Sequence, residues 1–196
     1  MSDFDSPNMN KSYIKYFLFS SIFLLLFSSC LVEPKYPVEP KITYKSLDFV
    51  KDSLLLKLTF DFRDGDGDLG LNQTSEEDSK FDQFIIVFNP ATGVNDTVVN
   101  PDFYNISLAI LVKNESGDFE ELSIPDNLVL DGRFPRLTNE GKAKPIEGSI
   151  TYTKEISSGL KFRISNKTIK MRTSIRDRAL HPSNVIETDS IVIPQL

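Results

Sequence analysis

The sequence predicts an all-β fold, an antiparallel β-sandwich, on three observations. Apolar and polar residues alternate with a period of two in several segments, these segments are short and divided by turn-forming residues, and none carries a convincing amphipathic helical stripe.

The clearest segment is Leu54 to Phe62, in which Leu54, Leu56, Leu58, Phe60 and Phe62 alternate with Leu55, Lys57, Thr59 and Asp61. Ile42 and Tyr44 mark a strand before it. Phe84 to Phe88 is a short, nearly continuous apolar run, read as a buried strand and closed by the turn residues Asn89-Pro90-Ala91-Thr92-Gly93. Thr97 to Val99 adds a brief strand, and Ile106, Leu108, Ile110 and Val112 alternate again before a turn at Asn114 to Asp118 and an extended stretch from Phe119 to Ile124. Ile146 to Ile156, Ile169 to Ile175 and Val185 to Ile193 complete about eight strands. Only a turn within Ser75 to Lys80 approaches a helical pattern. The expected core is Leu56 and Leu58 or their alternates, with Phe60, Ile86, Ile110, Ile150, Ile169 and Ile175. Pro125 to Pro145 is a long irregular connection that must cover a sheet edge, carry function, or both.

Ahead of this domain, Lys11 and Lys15 form a basic region, Tyr16 to Phe27 is apolar apart from Ser20 and Ser21, and Ser28-Ser29 place small side chains before Cys30. This is the layout of a removable signal peptide over residues 1–29. The Ser-Ser-Cys ending resembles the lipobox of bacterial lipoproteins, with Phe27 where that motif prefers Leu. The resemblance implies a covalent lipid on Cys30 and a membrane partner reached through that anchor. The competing reading is an uncleaved anchor, but a spanning helix needs about 20 apolar residues and this stretch is short, serine-bearing and followed by proline. Asp3 and Asp5 sit badly ahead of a basic region, which leaves Met9 as a second candidate initiator. Residues 30–40 contain Pro34, Pro37 and Pro40 and are expected to form an extended linker, with the β-sandwich domain over 41–196.

Cys30 is the only cysteine, so no internal disulfide can form and stability must come from the core or from a metal. The leader's two lysines and two aspartates cancel, so the rest of the chain keeps the formal net charge of −6. That charge argues against nucleic acid as a partner and against electrostatic adhesion to anionic lipid.

Asp64, Asp66 and Asp68 alternate with Gly65 and Gly67. Carboxylates at i, i+2 and i+4 are the opening pattern of a loop that wraps one hard cation, and oxygen ligands of this type suit Ca2+. The loop is not an EF-hand, because Leu69 and Ser75 stand where the invariant Gly and the bidentate Glu belong. The two readings are a structural calcium site in a β-loop and a solvated Asp-Gly turn. Arg133, Phe134 and Arg136 combine guanidinium and aromatic groups in the long connection, a composition found at binding hot spots. Their plainer reading is that Phe134 and Leu137 plug the core while the arginines stay in water. His181, with Asp177 and Ser183, has the composition of a hydrolase triad, but the three lie within one short turn, so His181 is expected at a hairpin tip.

Three stretches carry a resemblance. Phe62 to Gly70, Arg133 to Thr138 with Gly141 and Gly148, and Asp177 to Asn184 with Thr188 resemble an uncharacterised family of lipoproteins of Gram-negative bacteria. The last stretch also resembles the closing hairpin of bacterial immunoglobulin-like domains. The resemblance implies an immunoglobulin-like sandwich and a cell-envelope location at the outer membrane, and it implies no activity. In such a sandwich the loop after the second strand and the loop between the last two strands share one end. Asp177 and Asn184 are therefore expected beside Asp64, Asp66 and Asp68 as further calcium ligands.

The functional expectation is a non-enzymatic, calcium-stabilised module that binds a protein or glycan or serves a larger complex, with no catalytic residues. The alternative is a metal-dependent hydrolase built on the Asp-rich loop. Asp52-Ser53-Leu54, Asp96-Thr97-Val98 and Asp189-Ser190-Ile191 also resemble an O-glycosylation acceptor triplet of exported bacterial proteins, although such triplets also begin strands.

Overall fold

A computed structural model describes residues 34–72, 76–125, 128–138 and 144–196. The expected signal peptide, Cys30, the first part of the linker, Ser75 and Gly141 lie outside the described residues.

Strands form where the period of two is strongest. β1 (Lys41–Val50) and β2 (Leu55–Asp64) make an antiparallel pair, joined through the turn at Lys51–Leu54. β3 (Phe84–Asn89) pairs only with β4 (Val94–Val99), and β5 (Ile106–Lys113) pairs with the short β6 (Phe119–Glu121). β7 (Ile146–Glu155) returns beside β2, giving a first sheet of order β1-β2-β7. β8 (Thr168–Ile175), β9 (Ile186–Glu187) and β10 (Ile191–Val192) join β5 and β6 in a second sheet, β10-β8-β5-β6 with β9 also on β8.

The two sheets share one hydrophobic core. Leu56, Leu58 and Phe60 of β2 belong to the same buried cluster as Ile110 of β5 and Ile169, Met171 and Ile175 of β8. Each such side chain contributes about 1.5–3 kcal/mol relative to leaving it in water. Ile150, on the edge strand β7, is only partly buried against this cluster. Every member of the cluster lies within Lys35–Leu196, which is a compact unit and carries its own complete core. The chain is thus all-β with antiparallel sheets packed as a sandwich.

Two features depart from the sequence expectation. Ser158–Ile164 is a helix, α1, capped by the Ser157 hydroxyl, which accepts the Leu160 N–H at 3.4 Å. Its Leu160 and Ile164 reach the core, but seven residues are too few to show a stripe. Glu76–Phe81 is a 3-10 helix, in agreement with the helical turn expected within Ser75 to Lys80. The largest correction is Ile86: it is not core but 74% exposed, because among the described residues β3 pairs with β4 alone and no third strand extends the pair.

The proline-rich linker is not wholly free of the domain. Gly65 sits so close to it that a Cβ there would lie 2.4 Å from the Pro37 carbonyl oxygen, and the Tyr36 hydroxyl donates to Glu147 at 2.8 Å.

The long connection is partly described and partly core. Leu130 and Phe134 are buried, and Gly132 exchanges backbone hydrogen bonds with Ile106 at 2.9 and 3.1 Å. Asn105 replaces a missing strand partner here: its side-chain oxygen accepts the Phe134 N–H at 2.9 Å and its amide donates to the Phe134 carbonyl at 3.0 Å.

Candidate metal centre

The strand period itself delivers carboxylates to one end of the sandwich. Along β2 the inward positions are Leu56, Leu58, Phe60 and Phe62, and the next position of the same parity is Asp64. Along β8 they are Ile169, Met171, Thr173 and Ile175, and two residues on comes Asp177. Both aspartates are buried. An antiparallel bridge between Leu69 and Asp177 joins the two chain segments.

Between them the loop alternates its direction. Asp66 and Asp68 turn toward Asp64 and Asp177, and one carboxylate oxygen from each of the four lies within 4.8 Å of the others. The glycines face outward against neighbouring backbone. Gly67 has φ +71°, and a Cβ on it would meet the Lys144 carbonyl oxygen at 2.3 Å; the Lys144 N–H in turn donates to the Asp66 carbonyl at 3.1 Å. The Asp-Gly alternation is therefore required on both sides, by the carboxylates within and by the close approach of chain without.

Four carboxylates at this spacing repel. At 4.8 Å each pair of full charges costs about 0.9 kcal/mol in water and roughly four times that at an effective dielectric of 20. Among the described residues no lysine or arginine makes an ion pair with any of the four; His181, whose Nδ1 lies 2.8 Å from Asp177 Oδ2, is bonded to the cluster, and the Arg178 charge acts on Asp68 without a direct bond. Backbone donors satisfy some of the oxygens. The Asp68 N–H donates to Asp64 Oδ2 at 3.0 Å, the Ala179 N–H to Asp68 Oδ2 at 3.1 Å and the His181 N–H to Asp177 Oδ1 at 2.7 Å. The Oδ1 atoms of Asp64, Asp66 and Asp68 are buried without a hydrogen-bond partner among the described residues. Buried carboxylate oxygens without donors are costly unless a cation meets them, so this arrangement fits a metal ion, and an all-oxygen donor set suits a hard one.

The same crowding raises proton affinity. Burial first, then the charges of Asp66, Asp68 and Asp177, push the Asp64 carboxyl from its ordinary 3.8 up to about 7. Asp68 is also raised, by burial and by Asp177 and Asp66, with Arg178 opposing. His181 is raised by its hydrogen bond to Asp177 and by that residue's charge.

A sign follows for the metal-free protein. Between 3.8 and about 7 the unfolded chain has lost the Asp64 proton and the folded chain still holds it, so stability falls as pH rises through that window. The loss from this one group is on the order of 3 kcal/mol. Thermal melts in chelator at several pH values, with Asp64→Asn as the reference, should show wild type losing stability relative to the variant between pH 4 and 7. Parallel profiles would mean that Asp64 titrates normally.

Asn184 does not join the four aspartates. Its side-chain oxygen accepts the Ile42 N–H at 2.8 Å and its amide donates to the Ile42 carbonyl at 2.9 Å, so it completes the edge of β1 as a one-residue strand. Ser183 is likewise turned away from His181: its hydroxyl accepts the Ile175 N–H and donates to the Asn184 carbonyl.

Phe134 and Arg136 are withdrawn from the surface, and Arg133 is half-buried beside Phe84 and Phe103. Phe134 is buried in the core. The Arg133 guanidinium donates to the carbonyls of Phe81, Phe103 and Asn72 at 2.7, 3.2 and 2.6 Å and lies over the Phe103 ring. Arg136 grips Asp78 through two bonds of 2.9 and 2.7 Å, with side-chain exposures of only 7% and 2%. The expectation that these arginines stay in water fails too, because the loop carbonyls and Asp78 need donors that solvent cannot reach. No sequence signal pointed to Asp78, or to Asn105, as the groups that hold this connection.

Compared with protein-family models, with curated proteins and with solved structures, the chain matches none of them.

Proposed function

We propose that this chain is an exported lipoprotein of the bacterial cell envelope, held to the outer membrane by lipid on Cys30. Its immunoglobulin-like β-domain acts as a non-enzymatic, calcium-stabilised binding or accessory module. The observation that carries the calcium reading is the set of three buried, unpartnered Oδ1 atoms of Asp64, Asp66 and Asp68 converging with Asp177. Calcium takes six to eight oxygens. Four carboxylates supply at least four of them, some able to bind through both oxygens, and water completes the shell. Magnesium demands a tighter octahedron and keeps more of its water, so this all-carboxylate cluster favours the larger ion.

A structural role is supported by how the ligands are held. Asp64 and Asp68 are fixed by backbone N–H groups, and the loop is backed by Thr138, whose hydroxyl donates to the Gly67 carbonyl at 2.8 Å. A cation here would tie the end of β2 to the turn after β8 and so clamp the two sheets together. Isothermal titration of Lys35–Leu196 should show one calcium site per chain, with magnesium weaker. Heat unchanged from buffer would overturn the assignment.

Lipidation is tested separately. Cys30→Ala is expected to abolish incorporation of labelled fatty acid and to release the protein from the membrane fraction; unchanged labelling would refute the anchor.

A further inference from the structure

The β3–β4 hairpin carries the densest run of exposed apolar side chains among the described residues. Phe84, Ile86 and Phe88 on one face of β3 are 55%, 74% and 61% exposed, and Val87 on the other face is exposed as well. The hairpin is nonetheless firmly rooted. The Asn100 side chain donates to the carbonyls of Lys80 and Asp82, each at 2.9 Å, and its N–H donates to the Gln83 carbonyl at 2.9 Å. It is a fixed, projecting arm, so little further ordering is lost when something covers it.

Natural sheets protect an open edge with lysine, proline, a bulge or a covering element. Phe84 to Phe88 carries no charge, no proline and no glycine. It is also close to palindromic: Phe-Ile-Ile-Val-Phe reads almost the same in both directions about Ile86. That symmetry identifies the occupant. A two-fold interface requires one patch to be complementary to itself. Antiparallel pairing of two such strands about Ile86 sets Phe84 opposite the second copy's Phe88, Ile85 opposite its Val87 and Ile86 opposite its Ile86. Apolar meets apolar at every position, and no charge is brought to the seam. β4 lacks this property, because Asp96 near its centre would be brought close to its own copy in the same arrangement.

We propose that β3 is a self-association edge, through which two copies of this chain pair antiparallel about Ile86 to form a continuous sheet β4-β3-β3-β4. A lipid bilayer fits the hairpin less well. An open strand edge in hydrocarbon leaves backbone N–H and C=O groups unsatisfied, and the hairpin carries Asp96 and no basic residue for a headgroup. A strand of six residues is roughly 20 Å long, which offers less than the roughly 800 Å² per partner of a standard stable interface. The dimer is therefore reversible in solution, and the interaction is independent of the cation site at the end of the sandwich.

Sedimentation of Lys35–Leu196 across the micromolar to millimolar range should show a monomer–dimer equilibrium. Ile86→Lys, which places ammonium groups face to face at the two-fold, should shift it at least tenfold toward monomer with an unchanged circular dichroism spectrum. Val98→Lys, on β4 of the same hairpin, should leave it within a few-fold of wild type. Because this piece contains no cysteine, single substitutions report the register: Ile86→Cys should oxidise to a disulfide-linked dimer much faster than Thr97→Cys. The crosslinking result stands even if the lysine variant fails to fold. A monomer at every concentration overturns the proposal. So does a dimer that Val98→Lys weakens as much as Ile86→Lys, or equal crosslinking at positions 86 and 97. A monomer that instead binds neutral lipid vesicles through the hairpin would replace it with a membrane contact.

Discussion

Saturating calcium is expected to raise the melting temperature of Lys35–Leu196 by about 5–10 °C over the same protein in chelator. An ion that binds only the folded chain at a hundred times its dissociation constant adds about 2.7 kcal/mol, and a domain of this size gains roughly 2–4 °C per kcal/mol. The discriminating variant is Asp64→Asn. In wild type without metal, Asp64 is buried among three other carboxylates and its Oδ1 has no donor among the described residues. Above about pH 7, where the folded chain has also lost the Asp64 proton, removing its charge relieves repulsion, so the variant should melt higher than wild type in chelator and lose most of its response to calcium. Asp177→Asn should also lose the response, with a smaller gain in chelator, because it weakens the contact to His181. A cluster that served only to hold the loop through hydrogen bonds would behave in the opposite way: Asp64→Asn would melt lower under both conditions. If wild type melts at the same temperature with calcium and with chelator, the cation assignment is wrong.

Asp78→Ala is expected to destabilise the domain by about 3–5 kcal/mol, the range for stripping one partner from a buried ion pair. The pair with Arg136 is buried on both sides and bidentate, and Asp78 Oδ2 also accepts the Asn72 N–H at 2.7 Å. Although burial acts to raise the Asp78 carboxyl, its bonds to Arg136 and to Asn72 together hold it below the ordinary 3.8. The sign is therefore the usual acidic one. The contribution is complete above that value and is lost as pH falls through the depressed folded value. The pair straps Asn72, four residues beyond the Asp-rich loop, to the connection that carries Phe134. Denaturant unfolding should place Asp78→Ala well below wild type, while the double change Asp78→Leu with Arg136→Met should recover much of the loss, because it removes both charges of the pair together. A drop in Asp78→Ala below 1 kcal/mol would mean that solvent reaches the pair and that the connection is held by its backbone contacts.

Much of the scaffold was legible because strand burial is written locally. The period of two in Leu54 to Phe62 places Leu56, Leu58, Phe60 and Phe62 inward in β2 and, continued one step, Asp64. The same period in Ile169 to Ile175 leads to Asp177. The alternation of Asp and Gly marked a loop in which carboxylates face one way. Other features carried no local mark. The helix Ser158–Ile164 was missed because its apolar pair, Leu160 and Ile164, spans barely one turn. Asn184 was expected among the aspartates because it lies in the same hairpin as Asp177, yet its amide matches the free edge of β1. Arg136 looked like a surface group until its partner, 58 residues away, was placed beside it.

By itself, the sequence determined the all-β class, the parity of the central strands and the crowding of carboxylates after β2, since each depends on side chains a few residues apart. The tertiary structure alone decided which apolar strand is covered and which carboxylates meet. Phe84 to Phe88 has a composition as fit for a core as that of β2, but whether an apolar strand is buried depends on what packs against it, and among the described strands β3 pairs with β4 alone. Asp64 and Asp177 are 113 positions apart and share one site because β2 and β8 face each other across the core and end on the same side. That coincidence is a property of sheet packing, which no local pattern encodes.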